Sequence, residues 1–456
     1  METSTTELLT YNVKKSIQLK NNTGTTLHFE KQEQKGTNPK IEGVGQPLFQ
    51  IINSIDVTIT SVDLREIRLL EEEDFKHKIS VSLKNTSITL FGSTKKPFIR
   101  CINPQIVIIN IEHSQMVSTN DQKWIEIKGE DTNSNSFQIT NSTIDGGSFL
   151  IESIDKIKFL SCIFKNSKGD RIIDIIHSKN LVMDSIITKD TNTTTLVNLV
   201  DSVARFLNIQ IVSAYVRREI FLIRKTIVHM RNIKITNTVV NMGGQGMHFI
   251  DSSVYVDSLK IDASRFGSVV GQLSEIVELE KSVGHFKNVH ISKIYTYSLF
   301  YIHRNTNMTA HNIRIIDSEM EVCFGVFVES TLELSKFEIH SVDISHANIW
   351  VNNGKAIVDN VQIFNTKFVR IGRLATTHDR GMVVLSNVNM LNTTCRDAIF
   401  GTVDGKLTAE NITMVNTTTL NTFYSTRGYF YIKNFKYADH AWPIFYHNMV
   451  FRSKIY

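Results

Sequence analysis

The sequence predicts an all-β solenoid: a single-stranded parallel β-helix of about 16 coils, with about 24 residues and three short strands in each coil. Three observations carry this. A short phrase (Asn, apolar, any residue, apolar) recurs along the chain. It recurs at a nearly constant interval. The apolar residues around it alternate with period two, as strands require.

Clear copies of the phrase open at Asn208, Asn232, Asn288, Asn312, Asn360, Asn387, Asn411 and Asn434. Looser copies stand at Asp56, Asn85, Asn110, Asn141, Ser161, Asp184, Ser258 and Lys336, making sixteen anchors. From Ser161 onward the spacings are 23, 24, 24, 26, 30, 24, 24, 24, 27, 24 and 23 residues. The positions four and two before each anchor, and one and three after it, share a face if two strands flank a tight corner. Of these 64 positions 57 are apolar, against 41% apolar residues in the whole chain. A third short apolar run precedes most anchors by ten to twelve residues, as at Leu299–Ile302 and Ile349–Val351. Asn suits the corner because it tolerates the left-handed region better than other non-glycine residues. Stacked Asn side chains can also bond along the solenoid as an amide ladder.

This pattern resembles the right-handed parallel β-helix of the pectin-lyase-like superfamily, which shows three sheets and an Asn at one bend. The likeness covers residues 47–456 and implies a fold, since that fold hosts lyases, hydrolases, viral spikes and adhesins. The Asn- and Ile-rich, Cys-poor style also resembles large surface proteins of ciliates. Polygalacturonase-like members use paired aspartates, a Gly-His-Gly and an Arg-x-Lys; the nearest approach in this chain is Gly284-His285-Phe286. Calcium-dependent lyases of that type use clustered aspartates, and no such cluster falls at matched coil positions.

Residues 1–46 lack the phase and are expected to form an N-terminal cap or leader. The C-terminal end carries no visible cap, which suggests truncation or an oligomeric contact within a larger parent protein. The four cysteines, Cys101, Cys162, Cys323 and Cys395, lie two or three coils apart where they come closest, too far to bridge, and are expected to be free thiols with Cys162 facing inward. With 50 Lys+Arg against 45 Asp+Glu, the net +5 is too small for a general nucleic-acid binder. No apolar run is long enough to span a membrane, and residues 1–20 carry no secretory signal. The compartment is left open, with an extracellular or cell-surface setting favoured.

Four insertions interrupt the repeat: Arg65–Lys76 with its acidic run, Ser114–Lys123, Phe266–Leu273, and Gly372–Gly381 with His378-Asp379-Arg380. None brings together a recognisable catalytic or metal-binding set, so no catalytic residue, metal or cofactor is assigned. The outward positions say more. Two residues after successive anchors stand Lys234, Lys260, His290 and Arg314; the positions one and three before the anchors add Arg205, His229, Arg231, His285, Lys287 and His311. Together they predict a contiguous basic face on a near-neutral chain. The candidate ligand-binding set is Arg205, Arg231, Lys234, Lys260, Lys287, His290 and Arg314, and the expected partner is an acidic polysaccharide or glycosylated surface. A row of aromatics, Tyr301, Phe327, Trp350, Phe400 and Tyr424, is expected to lie in the core. The leading reading is a non-catalytic adhesion or glycan-binding β-helix. A polysaccharide lyase or glycoside hydrolase and a structural rod are the alternatives.

Overall fold

The computed structural model describes residues 55–438, except 66–67, 73–77, 91–95, 105, 120–121, 130–134, 242 and 268–273, together with isolated strands between Tyr11 and Ile51 and at Phe445–Tyr446. The chain is all-β and winds as a parallel β-solenoid of about 15 turns with coils of about 24 residues. It divides into two compact units, Met1–Tyr215 and Val216–Tyr456.

In the first unit one coil runs through Ser136–Thr140, Thr143–Asp145 and Ser148–Glu152. Its corners fall at Asn141, at Gly146–Gly147 and at Ser153, all with positive φ. The next coil stacks in parallel register, placing Phe137 on Ile157 and Ile139 on Phe159. Inward rings fill the coil interior: Phe137, Phe149, Phe159 and Phe164 pack with centroids 5.5 to 6.3 Å apart. Parallel pairing reaches back into the segment that the repeat phase leaves out, joining Tyr11–Val13 to Lys40–Gly43 and Thr25–Phe29 to Ile55–Thr60. The acidic side chains of the Arg65–Lys76 insertion and most of the final residues lie outside the described set.

In the second unit the strands lengthen because ladder bonding continues around one corner. Ile227–Thr236 bends at Asn232, Asn307–Ile316 at Asn312, and Lys355–Phe364 at Asn360. Strictly matched rungs follow. Ile233, Leu259, Val289, Ile313, Phe337, Val361, Val388 and Ile412 form one interior column, every member buried. Ile209 is likewise buried, within the first unit. On the third face Phe300 and Phe324 stack with centroids 5.4 Å apart, sealed edge-on by Phe286 and Phe337.

The corners explain the sequence phrase. Among the described residues, eighteen of the forty-three non-glycine residues with positive φ are Asn. The anchor column is occupied by Ser61, Asn85, His113, Asn141, Ser161, Ser185, Asn208, Asn232, Ser258, Asn288, Asn312, Lys336, Asn360, Asn387, Asn411 and Asn434. Three looser anchors are therefore corrected: Asp56, Asn110 and Asp184 lie inside strands, and the bends fall at Ser61, His113 and Ser185. The amide ladder exists in short runs. Asn312 Nδ2 donates to Asn288 Oδ1 (2.8 Å), Asn411 to Asn387 (3.0 Å) and Asn434 to Asn411 (2.9 Å). A second run at the next corner joins Asn365, Asn392 and Asn416. All four cysteines are free and buried; Cys162 faces the interior, and burial pushes its thiol up to about 11.

Asn312 combines a φ of 59° with a ladder donor. Replacing it with Gly keeps the bend but loses the hydrogen bond, about 1 kcal/mol, whereas Val also forces a β-branched residue into the left-handed region and is expected to cost about 2–3 kcal/mol. Urea midpoints of the two variants check the order; equal losses refute it.

Candidate functional site

Two outward surfaces of the second unit carry concentrated chemistry. The first flanks the Asn corner. Strand register places Lys234, Lys260, His290 and Arg314 on consecutive rungs, followed by Glu338. Parallel rungs repeat about every 4.8 Å. Lys234, Lys260 and Arg314 are exposed and His290 is half-buried. Arg314 Nε lies 3.3 Å from Glu338 Oε1, so the cationic column ends on an ion pair. Burial holds the His290 imidazole below its ordinary value, and the charges of Lys260 and Arg314 act in the same direction.

Across the corner the predicted face is interrupted. The column reads Arg231, Asp257, Lys287, His311 and Ser335, so Asp257 breaks the row of cations. Its Oδ1 accepts from Asn288 Nδ2 at 2.9 Å, which ties it to the corner. The next column reads His229, Tyr255, His285 and Thr309. Its first three rings stack, His229 on Tyr255 at 4.6 Å and Tyr255 on His285 at 5.0 Å, nearly parallel. The contiguous basic face is thus one unbroken column with mixed flanks. Arg205 is exposed and lies in the first unit, in register with Val182.

The second surface is on the third face, and sequence reasoning missed most of it. Register aligns His248, Glu278, Tyr301, Gly325, Trp350, Thr376, Gly401 and Tyr424 in one outward column. Four of the five aromatics expected in the core therefore point outward and are half-buried. Only Phe400 is interior, at 0% exposure. Tyr301 and Phe327 meet at 4.8 Å, Phe327 and Trp350 at 5.1 Å, and Trp350 and His346 at 4.6 Å. Gly325 makes this strip possible, since a Cβ there would stand 2.6 Å from the Phe327 ring. At the far end Arg373 lies over the Tyr424 ring at 4.7 Å and bonds Asp397 through Nη2 at 2.7 Å.

At the near end Glu278 sits between two imidazoles, 3.0 Å from His303 Nε2 and 3.6 Å from His248 Nε2. Glu275, on the same strand, is 5% exposed. Burial, reinforced by the charge of Glu278, pushes its carboxyl up to about 7. Burial also pushes the Tyr297 phenol up to about 12. Trp350 Nε1, Thr376 Oγ1 and Glu278 Oε2 are buried atoms without a hydrogen-bond partner. His378 of the Gly372–Gly381 insertion packs edge-on against Trp350 at 6.2 Å, while Asp379 and Arg380 are exposed at a bend. A sequence signal for this face did exist: Glu275, Glu278 and Glu280 fall directly after the Phe266–Leu273 insertion, with His248 opposite Glu278 on the preceding coil and His303 opposite Glu280 on the following one. Among the described residues no group of His, Cys, Asp and Glu is arranged to hold a metal ion.

No family model matches the chain, and no curated protein matches it. Among solved structures it is similar to the catalytic domain of a GH87 alpha-1,3-glucanase in complex with tetrasaccharides, at 10% identity and a TM-score of 0.26, covering 82% of this chain and 64% of that one. It is also similar to the N-terminal fragment of gene product 12 of bacteriophage Phi29 (9% identity, TM-score 0.30, 88% of each chain). A further likeness is to PfbA, a surface adhesin of Streptococcus pneumoniae (9% identity, TM-score 0.19, 83% of this chain and 85% of that one). The chain thus spans less than two thirds of the glucanase domain. No helix among the described residues is long and apolar enough to cross a membrane.

The buried acid makes a stability prediction. In the unfolded chain Glu275 ionises near 4.5, in the folded chain near 7. Its share of stability is full below pH 4.5 and is lost as pH rises through 7. Glu275→Gln should leave stability at pH 4.5 unchanged and raise it at pH 8 by an amount of order 3 kcal/mol. Amide exchange protection across Glu275–Glu280 reads this directly; equal protection in both proteins at pH 8 refutes it.

Proposed function

We propose that the second unit binds an anionic glycan through the Lys234–Lys260–His290–Arg314 column, as a non-catalytic surface for adhesion or capture. The observation that carries this reading is the register. Three permanent cations and a titratable imidazole stand on successive rungs with no acid among them, where like charges close to one another oppose pairing. A surface meant only to be soluble alternates its signs, as the neighbouring Arg231–Asp257–Lys287 column does. A run of one sign instead concentrates positive potential along a line, which suits a linear polyanion. Reversing charge with Lys234→Glu, Lys260→Glu and Arg314→Glu together is expected to abolish retention on heparin below ~50 mM salt, the range in which exposed charges are least screened. Elution unchanged from the wild type refutes the reading.

A second reading, polysaccharide cleavage on the third face, is favoured by one observation. Glu275 keeps its proton near neutral pH while standing close to a second carboxyl, Glu278, and to an outward aromatic strip. Carboxyl groups whose environments differ in this way divide into an acid and a base or nucleophile in glycoside hydrolysis. Release of reducing ends or unsaturated products from a panel of neutral and acidic polysaccharides, lost in Glu275→Gln, supports cleavage. No product from any member of the panel excludes it for those substrates.

A further inference from the structure

We infer that the anionic ligand lies along the solenoid axis with one charged group per rung, and that the group seated between Lys260 and Arg314 is taken up together with a proton on His290. The inference rests on the binding reading above and names the regulation of that same column.

The geometry comes first. His290 is flanked in register by Lys260 on the preceding coil and by Arg314 on the following one. Both long side chains are exposed, whereas the imidazole is half-buried, so it forms the floor of a notch walled by two permanent cations. The rungs lie about 4.8 Å apart. A polymer with one sulfate or carboxylate for every such step can meet Lys234, Lys260, His290 and Arg314 in turn. A polymer with charges twice as far apart meets only alternate rungs.

The charged groups around His290 set the sign. From the preceding coil it faces Lys260 and Asp262, and from the following coil Arg314. Glu338, one coil further on, acts more weakly and is itself paired to Arg314. On its own strand Lys287 is exposed, and His285 bonds Thr309 at 2.7 Å. Asp262 is engaged by the Ser292 hydroxyl at 2.7 Å. In the free protein burial and the two cations keep His290 neutral at pH 7. An oxyanion in the notch offsets both cations and accepts a hydrogen bond from the imidazolium, so the bound form holds the proton more tightly. Affinity must then rise as pH falls, starting at the value for the bound state and levelling off below the value for the free state. Each pH unit by which binding raises the imidazole corresponds to about tenfold in affinity.

The test uses the full chain, a size-defined heparin tetrasaccharide and histidine labelled at Cε1, with the His290 resonance assigned by its loss in His290→Gln. The expected result has three parts. The His290 titration midpoint moves upward by about one pH unit on binding. Calorimetry in two buffers of different ionisation heat shows net proton uptake at pH 6.5. Between pH 8 and pH 5.5 His290→Gln gains less than twofold in affinity, whereas the wild type gains about tenfold. His311→Gln, which alters an exposed histidine one coil away, keeps the wild-type slope. Binding with an unmoved His290 midpoint, or a His290→Gln variant with the full pH dependence, overturns proton coupling and leaves the binding reading standing. Absence of binding at pH 5.5 overturns both.

Discussion

Coils of this solenoid must turn their corners within about 24 residues; among the described residues a few turns are made by two residues, as at Gly146–Gly147 and Arg304–Asn305, and most by one residue held in the left-handed region. That residue points its backbone polar groups along the stacking direction, so they must be satisfied by the neighbouring coils. The corner amide bonds the backbone of the next coil, as Lys225 N does to Ile250 O at 2.9 Å, and the amide that follows it meets a hydroxyl. The amide of Thr226 donates to Ser252 Oγ (3.2 Å), that of Ser252 to Ser282 Oγ (3.1 Å), that of Ser282 to Thr306 Oγ1 (3.2 Å) and that of Thr306 to Ser330 Oγ (3.1 Å). The hydroxyls donate in turn to carbonyls of their own corners, as Ser252 does to Ile250 O at 2.7 Å. In the first unit Thr86, Ser114 and Ser142 form the same chain. Cys162 follows at the equivalent place in the next coil, its Sγ against Leu160 O at 3.3 Å. The buried hydroxyl ladder thus fixes the pitch of the stack.

The corner and its hydroxyl also account for four of the eight Asn-x-Ser/Thr tripeptides of this chain. Asn85-Thr86-Ser87, Asn141-Ser142-Thr143, Asn392-Thr393-Thr394 and Asn416-Thr417-Thr418 each carry a left-handed Asn followed by a buried Ser or Thr. The tripeptide follows from the geometry of the bend. Register fixed in this way has a functional consequence. An outward side chain repeats at the same height on every coil, so a substitution changes a row. The chain places cations in one such row and an acid–aromatic series in another. The rows differ in depth: Lys234, Lys260 and Arg314 stand in solvent, whereas Glu275 is nearly enclosed.

How much of this could be read in advance follows from where the physical signal is strong. Period-two alternation across the Asn corner is driven by burial on both sides of the bend, so the interior column through Ile233 and Ile313 was legible. Asp56, Asn110 and Asp184 were misplaced by five, three and one residues, because they sit in strands whose apolar partners mimic the corner phase. The cation column was legible because it depends only on distance from a well-defined anchor. The neighbouring column is interrupted by Asp257, which serves the corner by accepting a hydrogen bond from Asn288. The third face was harder. Pairing shifts by one residue between Met320 and Val322 and again between Cys395 and Ala398, which reverses inside and outside locally. The register of this face is loose in the sequence, so the expectation that Tyr301, Phe327, Trp350 and Tyr424 lie in the core rested on their apolar character alone.

The two surfaces respond to protons in opposite ways. Lowering pH adds charge at His290, while Glu275 gains a proton and loses charge. Both changes make this unit more positive as pH falls, because burial is the leading cause at each group: it disfavours imidazolium at one and carboxylate at the other. The difference lies in what a ligand can recover. His290 stands in an open notch where an oxyanion can replace the lost hydration, so its proton is available for coupling. Glu275 is enclosed, and a ligand acts on it only by entering the strip beside Tyr301. Under the proposed binding reading, a polyanion would find a proton partner on the column and none on the third face.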